Sequence, residues 1–413
     1  MLMTGRPTAR SGRAVFRGIA AVAVMAIALF GAWFISHRQR STRGSVAREA
    51  WPQPVRPATA VGDSTCLGCH TDKATYESTA HRLTTRYPTR ATMAGSFAPD
   101  SNVLRTPNPH LYFHMDVDSA GFTQTGVQGT PPDTTTRTER VAYVSGVRKG
   151  ESYLYWIGNR LYQLPVSYWG ALDTWINSPG YVDGSMNFER AISPRCLECH
   201  ATWFQALPDP AVTNRYDSTG AILGITCERC HGAGREHAER ERSALRAANG
   251  SAVANPARMS RERQMDACAQ CHGGLGQPTA PAFTYVAGKP LEQYLHLFAQ
   301  PANATVDVHG NQVALLTRSR CYQSSQMTCL TCHDVHRTQR DPAQLSERCL
   351  TCHQEQSCKL FPTQGHALRG RCVDCHMPLQ QSNLIVSGLD GKEQRALVRT
   401  HWIKVYGDSA GRR

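Results

Sequence analysis

Seven times in this 413-residue chain two cysteines stand three positions apart with a histidine directly after the second. The first four sets are Cys66, Cys69 and His70; Cys196, Cys199 and His200; Cys227, Cys230 and His231; and Cys268, Cys271 and His272. The others are Cys329, Cys332 and His333; Cys349, Cys352 and His353; and Cys372, Cys375 and His376. Two thiols at this spacing can add to the two vinyl groups of one haem, and the histidine then meets the iron from the same turn. Zinc ribbons, redox-active thiol pairs and disulfide scaffolds also use paired cysteines, but none needs a histidine behind every pair. Here every Cys-x-x-Cys is followed by His. The pattern predicts seven covalently attached c-type haems, each with its motif histidine as one iron ligand.

What each iron can do depends on its sixth ligand. A second strong ligand restricts it to passing electrons, whereas an open position can bind and reduce a small molecule. Ten histidines lie outside the motifs; His37 flanks an apolar run, leaving nine candidates for seven irons. Context favours six of them. His336 sits three residues after His333, His237 six after His231, and His81 eleven after His70 on an expected helix. His366 precedes Cys372 by six, His309 occupies Val-His-Gly-Asn, and His401 lies in a tail with no motif of its own. One of His110, His114 and His296 is left to complete a seventh pair. Met377 projects from the same turn as His376 and is a poor axial candidate. Cys321 and Cys358 are spare, and in an oxidising compartment an isolated pair is usually joined, so a bridge between them is expected.

The segments that must hold these ligands differ in kind. Residues 71–195 carry no motif, while six motifs crowd into 196–376. At that density the haems themselves supply the apolar bulk. The expected fold is therefore a mainly α multihaem cytochrome with little regular secondary structure. A small β-rich module at 106–190 is expected between the first and second haems. Within it, 151–166 reads as a hairpin about Gly158 and Asn159. Its aromatics (Tyr153, Tyr155, Trp156, Tyr162, Tyr168 and Trp169) could line a pocket but suit the core of the module better. Around it the expected divisions are a first haem segment at 62–105, a six-haem domain at 191–380 and a tail at 381–413 supplying His401.

The 19 residues from Gly18 to Ser36 are uncharged and would span about 28 Å as a helix. Arg6, Arg10, Arg13 and Arg17 precede them. The run is long for a signal peptide and ends in Trp33, Phe34 and Ile35 rather than small residues, which favours an uncleaved transmembrane anchor over a cleaved leader. Residues 1–17 then form a cytoplasmic N-terminus, and 37–61, with Pro52, Pro54 and Pro57, a tether. Because c-type haem is attached outside the bacterial cytoplasm, the expectation is a single-pass inner-membrane protein with its haem domain in the periplasm. The formal charge of +13 is not a nucleic-acid signature. The propionates of seven haems would absorb most of it, and no basic strip is interleaved with aromatics for bases.

Several stretches resemble the multihaem cytochrome c-554 family. They are Cys-Leu-Gly-Cys-His at 66–70 with Tyr-x-Ser-x-x-His at 76–81, and Cys-His-Gly-x-Gly-Arg-Glu-His at 230–237. The runs 327–336 and 371–378 extend the likeness, which is strongest over 191–380. Wider kin of that family include pentahaem nitrite reductases and octahaem hydroxylamine oxidoreductases. The resemblance implies haems in stacked and perpendicular pairs, with bis-His ligation by His81, His237, His309, His336, His366 and His401. The chain departs from the reductases in having no Cys-x-x-Cys-Lys. No residue matches their substrate-binding Arg, Tyr and His set. The leading expectation is thus an electron relay between redox partner proteins, a quinol-linked donor and a soluble or outer-surface acceptor. The alternatives are a reductase of nitrite, hydroxylamine or a similar molecule at one open haem, and a binding role for the β-rich module.

Overall fold

The structure, a computed structural model, describes residues 53–147, 149–243, 252–301 and 303–406. Its most regular part is built from strands. Among the described residues seventeen strands form five antiparallel sheets, and the α-helices run for only 4 to 12 residues. The expectation of a mainly α fold is corrected by this. Haem motifs need only one turn of helix each, whereas the motif-free stretch has enough apolar residues to build sheets of its own. The expected anchor at 18–36 lies outside the described residues. Among the described residues no helix is long and apolar enough to cross a membrane. The expectation of a transmembrane helix and of an inner-membrane placement is corrected to this extent: neither is supported among the described residues.

Two sheets pack face to face. Val103–Arg105, Leu111–Asp118, Gly121–Thr130 and Asp133–Arg140 form a four-stranded meander. Along Leu111–Asp118, Leu111, Phe113 and Met115 are buried while Tyr112, His114 and Asp116 are more open, the two-residue period of a half-buried strand. The facing seven-stranded sheet centres on Gly150–Ile157, which pairs with Tyr143–Val147, Arg160–Gln163 and Val166–Trp169. Gly158, at φ 59°, makes the tight turn of the hairpin expected there. Phe113, Met115, Phe122, Tyr153, Tyr155, Val166 and Trp175 fill the space between the sheets. Tyr153, Tyr155, Tyr168 and Trp169 are thus core residues rather than pocket walls. At the rim Arg86 pairs with the buried Glu151.

The other three sheets are hairpins. Ala201–Ala206 with Tyr216–Leu223 follows the second motif, and Gly276–Pro278 with Leu295–Leu297 follows the fourth. Leu379–Leu389 pairs with Lys392–Arg399 after the seventh, turning at Asp390 and Gly391, both at positive φ. Ser387 in this hairpin donates to the Asn177 carbonyl, docking it on the large sheet.

Candidate haem-binding cavity

Each motif forms a short turn. The amides of His70, His333 and His353 donate to the carbonyls of Cys66, Cys329 and Cys349 at 2.9, 3.0 and 2.9 Å. One turn brings the imidazole back to the side of the first thiol. Local sequence sets where these turns start and stop. Pro194 opens the turn of the second motif, and Gly232, at φ 84°, ends that of the third. The fourth motif closes a 12-residue helix, Arg261–His272, whose Ser260 caps the Arg263 amide.

All twenty-one motif residues line a single cavity of about 3920 Å³. Ordinary ligand sites hold roughly 300–1,000 Å³, so this space suits several large apolar groups together. Guanidinium groups of Arg258, Arg320, Arg348 and Arg371 also stand on its wall, the partners a propionate carboxylate needs.

Residues inside the motifs tie the motifs together. Glu198, from the second, accepts from Arg195 at 2.8 Å, from Gln270 of the fourth at 3.3 Å and from the Phe283 amide at 2.9 Å. It also lies 3.4 Å from Arg229 of the third. Glu228 of the third motif accepts from the amides of Val61 and Gly62 at 3.1 Å and of Gly234 at 2.8 Å. Asp63, just before the first motif, accepts from the Cys227 amide at 2.9 Å and pairs with Arg82 at 2.5 Å. Residues 53–61, the end of the expected tether, therefore lie along the third motif. The seventh motif is held by the Val373 amide on Ser346 Oγ, 3.2 Å away on the helix Pro342–Cys349 that ends in the sixth.

Thiols of different motifs meet. Cys66 hydrogen-bonds with Cys227, Cys199 with Cys271, Cys268 with Cys329, and Cys372 with Cys349. The Cys271 contact lowers the Cys199 thiol to about 7, and the Cys227 contact also lowers Cys66.

Imidazoles face one another across the cavity. Ring centres are 6.5 Å apart for His70 and His237, 6.2 Å for His231 and His336, 6.3 Å for His333 and His401, and 6.0 Å for His272 and His81. A metal bonded about 2 Å from a nitrogen of each of two imidazoles would hold their ring centres about 6 Å apart. His309 lies on the cavity wall, close enough to His200 to depress its basicity. Desolvation by the surrounding protein lowers His81 and His401 to about 4 and also lowers His200, His231, His272, His309, His333 and His336. These rings stay neutral, the form that can donate a lone pair to iron.

Several rings are also oriented through Nδ1, which leaves Nε2 for a metal. His231 Nδ1 lies 2.7 Å from the Ala254 carbonyl, and His376 Nδ1 2.9 Å from that of Lys404. His200 Nδ1 is 3.1 Å from Thr84 Oγ1, and His272 Nδ1 3.3 Å from Gln312 Oε1. The motif cysteines, the facing imidazoles and the wall cations together fit covalent haem.

The remaining candidates sit elsewhere. His366 is outside the cavity, its ring 80% exposed, bonded to Glu355 at 2.8 Å and packed on Phe361. His110 bonds Thr130 at 2.9 Å and His114 pairs with Asp116, both on the four-stranded sheet. His296 is an exposed residue of Leu295–Leu297. Cys321 and Cys358 both line the cavity as free thiols, which corrects the expected bridge. Glu198, Arg229, Gln270 and Glu228 were missed as motif-coupling residues. The signal available was a charged or amide side chain at positions between the cysteines, where nothing in attachment chemistry asks for one.

Among known proteins, residues 177–232 match the family model for cytochrome c554 and c-prime, a stretch that holds the second and third motifs. No curated protein and no solved structure matches the chain. The family match supports a c-type cytochrome with covalently bound haem and a haem-based role in electron transfer.

Proposed function

We propose that the chain carries seven c-type haems and passes electrons along them between redox partner proteins. The observation that carries this is the enclosure of all seven motifs by one cavity, across which four imidazole pairs stand 6.0–6.5 Å apart. Haem supplies an iron that cycles between two oxidation states without bond rearrangement when both axial positions are filled.

The residues supply everything else. Paired thiols fix each group by two thioethers, so its place does not depend on binding equilibrium. The four facing pairs of neutral imidazoles would each hold one iron, and the Ala254 carbonyl and Thr84 hydroxyl fix the tautomers of His231 and His200. Wall arginines neutralise propionates. The Glu198, Arg229 and Gln270 network holds three motifs in a rigid relation, which keeps the distances between neighbouring groups constant. Mass spectrometry of protein matured in a host competent for haem attachment tests the count: seven added haems are expected, and fewer would overturn it. Stepwise reductive titration should then show reversible electron uptake with no substrate present. A second reading, a reductase of a small molecule, is favoured by one observation: among the described residues no imidazole faces His200, His353 or His376 at the spacing seen for the four pairs, and of these three only His200 has a further imidazole, His309, near enough to depress its basicity.

A further inference from the structure

We infer that the irons held by His353 and His376 keep an exchangeable sixth position, making the C-terminal end of the cavity a binding site for a small diatomic or anionic ligand. This rests on the haem reading above and assigns two of its seven sites a different task.

The cavity-lining histidines outside the motifs are already engaged elsewhere. His237, His336, His81 and His401 face His70, His231, His272 and His333, and His309 stands by His200. The other described histidines do not reach the cavity. His110 and His114 belong to the distant sheet, His296 lies on an exposed strand, and His366 points outward against Glu355 and Phe361. Met377 follows His376 on its own turn and cannot cross to the opposite face. The Lys404 ammonium lies over the Trp402 ring, 3.6 Å from its centre, while the Lys404 carbonyl binds His376 Nδ1. That segment therefore buttresses the proximal side of His376. His376 has the orienting bond of a built iron ligand and no imidazole opposite it.

The two sites are neighbours. The turn Cys372–His376 packs on Pro342–Cys349, Val373 bonds Ser346, and the thiols of Cys349 and Cys372 touch. Lys359 also lines the cavity, beyond the arginines assigned to propionates, and favours a negatively charged ligand. Four groups held between facing imidazoles, and one at His200 with His309 beside it, would then store electrons next to two that bind a ligand, an arrangement suited to delivering several electrons to one molecule.

Electron paramagnetic resonance of the oxidised holoprotein and titration of the reduced holoprotein with carbon monoxide test this. The expected result is two high-spin ferric irons and two carbon monoxide molecules bound per chain. His366→Ala should change neither count, and His81→Ala, which strips the imidazole facing His272, should raise each by one. Seven low-spin irons that bind no carbon monoxide would overturn the inference while leaving the electron relay standing. So would a count that rises in His366→Ala, since His366 would then be a ligand. Protein without seven haems would instead sink the relay itself.

Discussion

The sheet half and the cavity half of this molecule hold together by different means. Between the two large sheets, Phe113, Tyr153, Tyr155, Leu164 and Val166 are wholly buried against one another, a core made by the chain alone. Around the cavity the chain turns its motif residues toward open space: His70, Cys196, His200 and His353 are all exposed to it. What closes the first half is apolar side chains; on the proposed reading, what would close the second is a set of attached haems. A sheet needs a run of alternating residues, whereas a haem site needs one turn and a distant imidazole. That difference explains why the two halves have such unlike secondary structure.

The comparison breaks most visibly when haem attachment is prevented. Without haem, amides of Cys372–His376 and Cys227–His231 should exchange rapidly while those of Gly150–Ile157 stay protected. Equal loss of protection in both halves would show that the sheets also depend on the cofactor. Tyr153→Ala probes the opposite side, and truncating an aromatic in a filled core costs about 3–5 kcal/mol. Thermal unfolding should fall accordingly with the haem count unchanged; a lost haem would mean that the halves are coupled.

Glu198→Ala acts inside the cavity half. It leaves Arg229, 5% exposed, without its carboxylate, at a cost of about 3 kcal/mol. Unlike Tyr153→Ala it should also broaden the spread of haem potentials, because three motifs lose their common anchor.

Asp183→Asn should give the smallest effect. Desolvation raises the Asp183 carboxyl, against opposing bonds from the Gly184 and Gly391 amides, and its Oδ2 is buried without a partner. With the folded value above the unfolded one, its stabilising contribution is present below about pH 4 and lost as pH rises through the folded value. The variant should therefore match the wild type in acid and melt higher near neutrality, by roughly 2 °C. A lower melting point at pH 7 would show that the carboxylate is needed to dock the C-terminal hairpin.

Much of the attachment chemistry was legible because it is local: five consecutive residues specify a haem turn. The Gly158 hairpin was legible for the same reason. Asp390-Gly391 is an equally plain turn signal, yet the tail was read only for His401, and the hairpin around it was passed over. The four-stranded meander hid behind Thr-rich strands and the Pro131-Pro132 turn, where few large apolar residues advertise a core. Which imidazole faces which could not be read at all. His81 lies beside the first motif in sequence and opposite the fourth in space, a pairing set by chain paths rather than by spacing.

That crossing of partners bears on how the chain is assembled. His237 arrives on the ribosome long after His70, His336 after His231, and His401 after everything else. Synthesis thus delivers the first member of most couples well before its mate, and half-finished stations must wait. The couples are completed in the order of their later members, His237, His272, His336 and His401, so the array closes from its first motif toward its last.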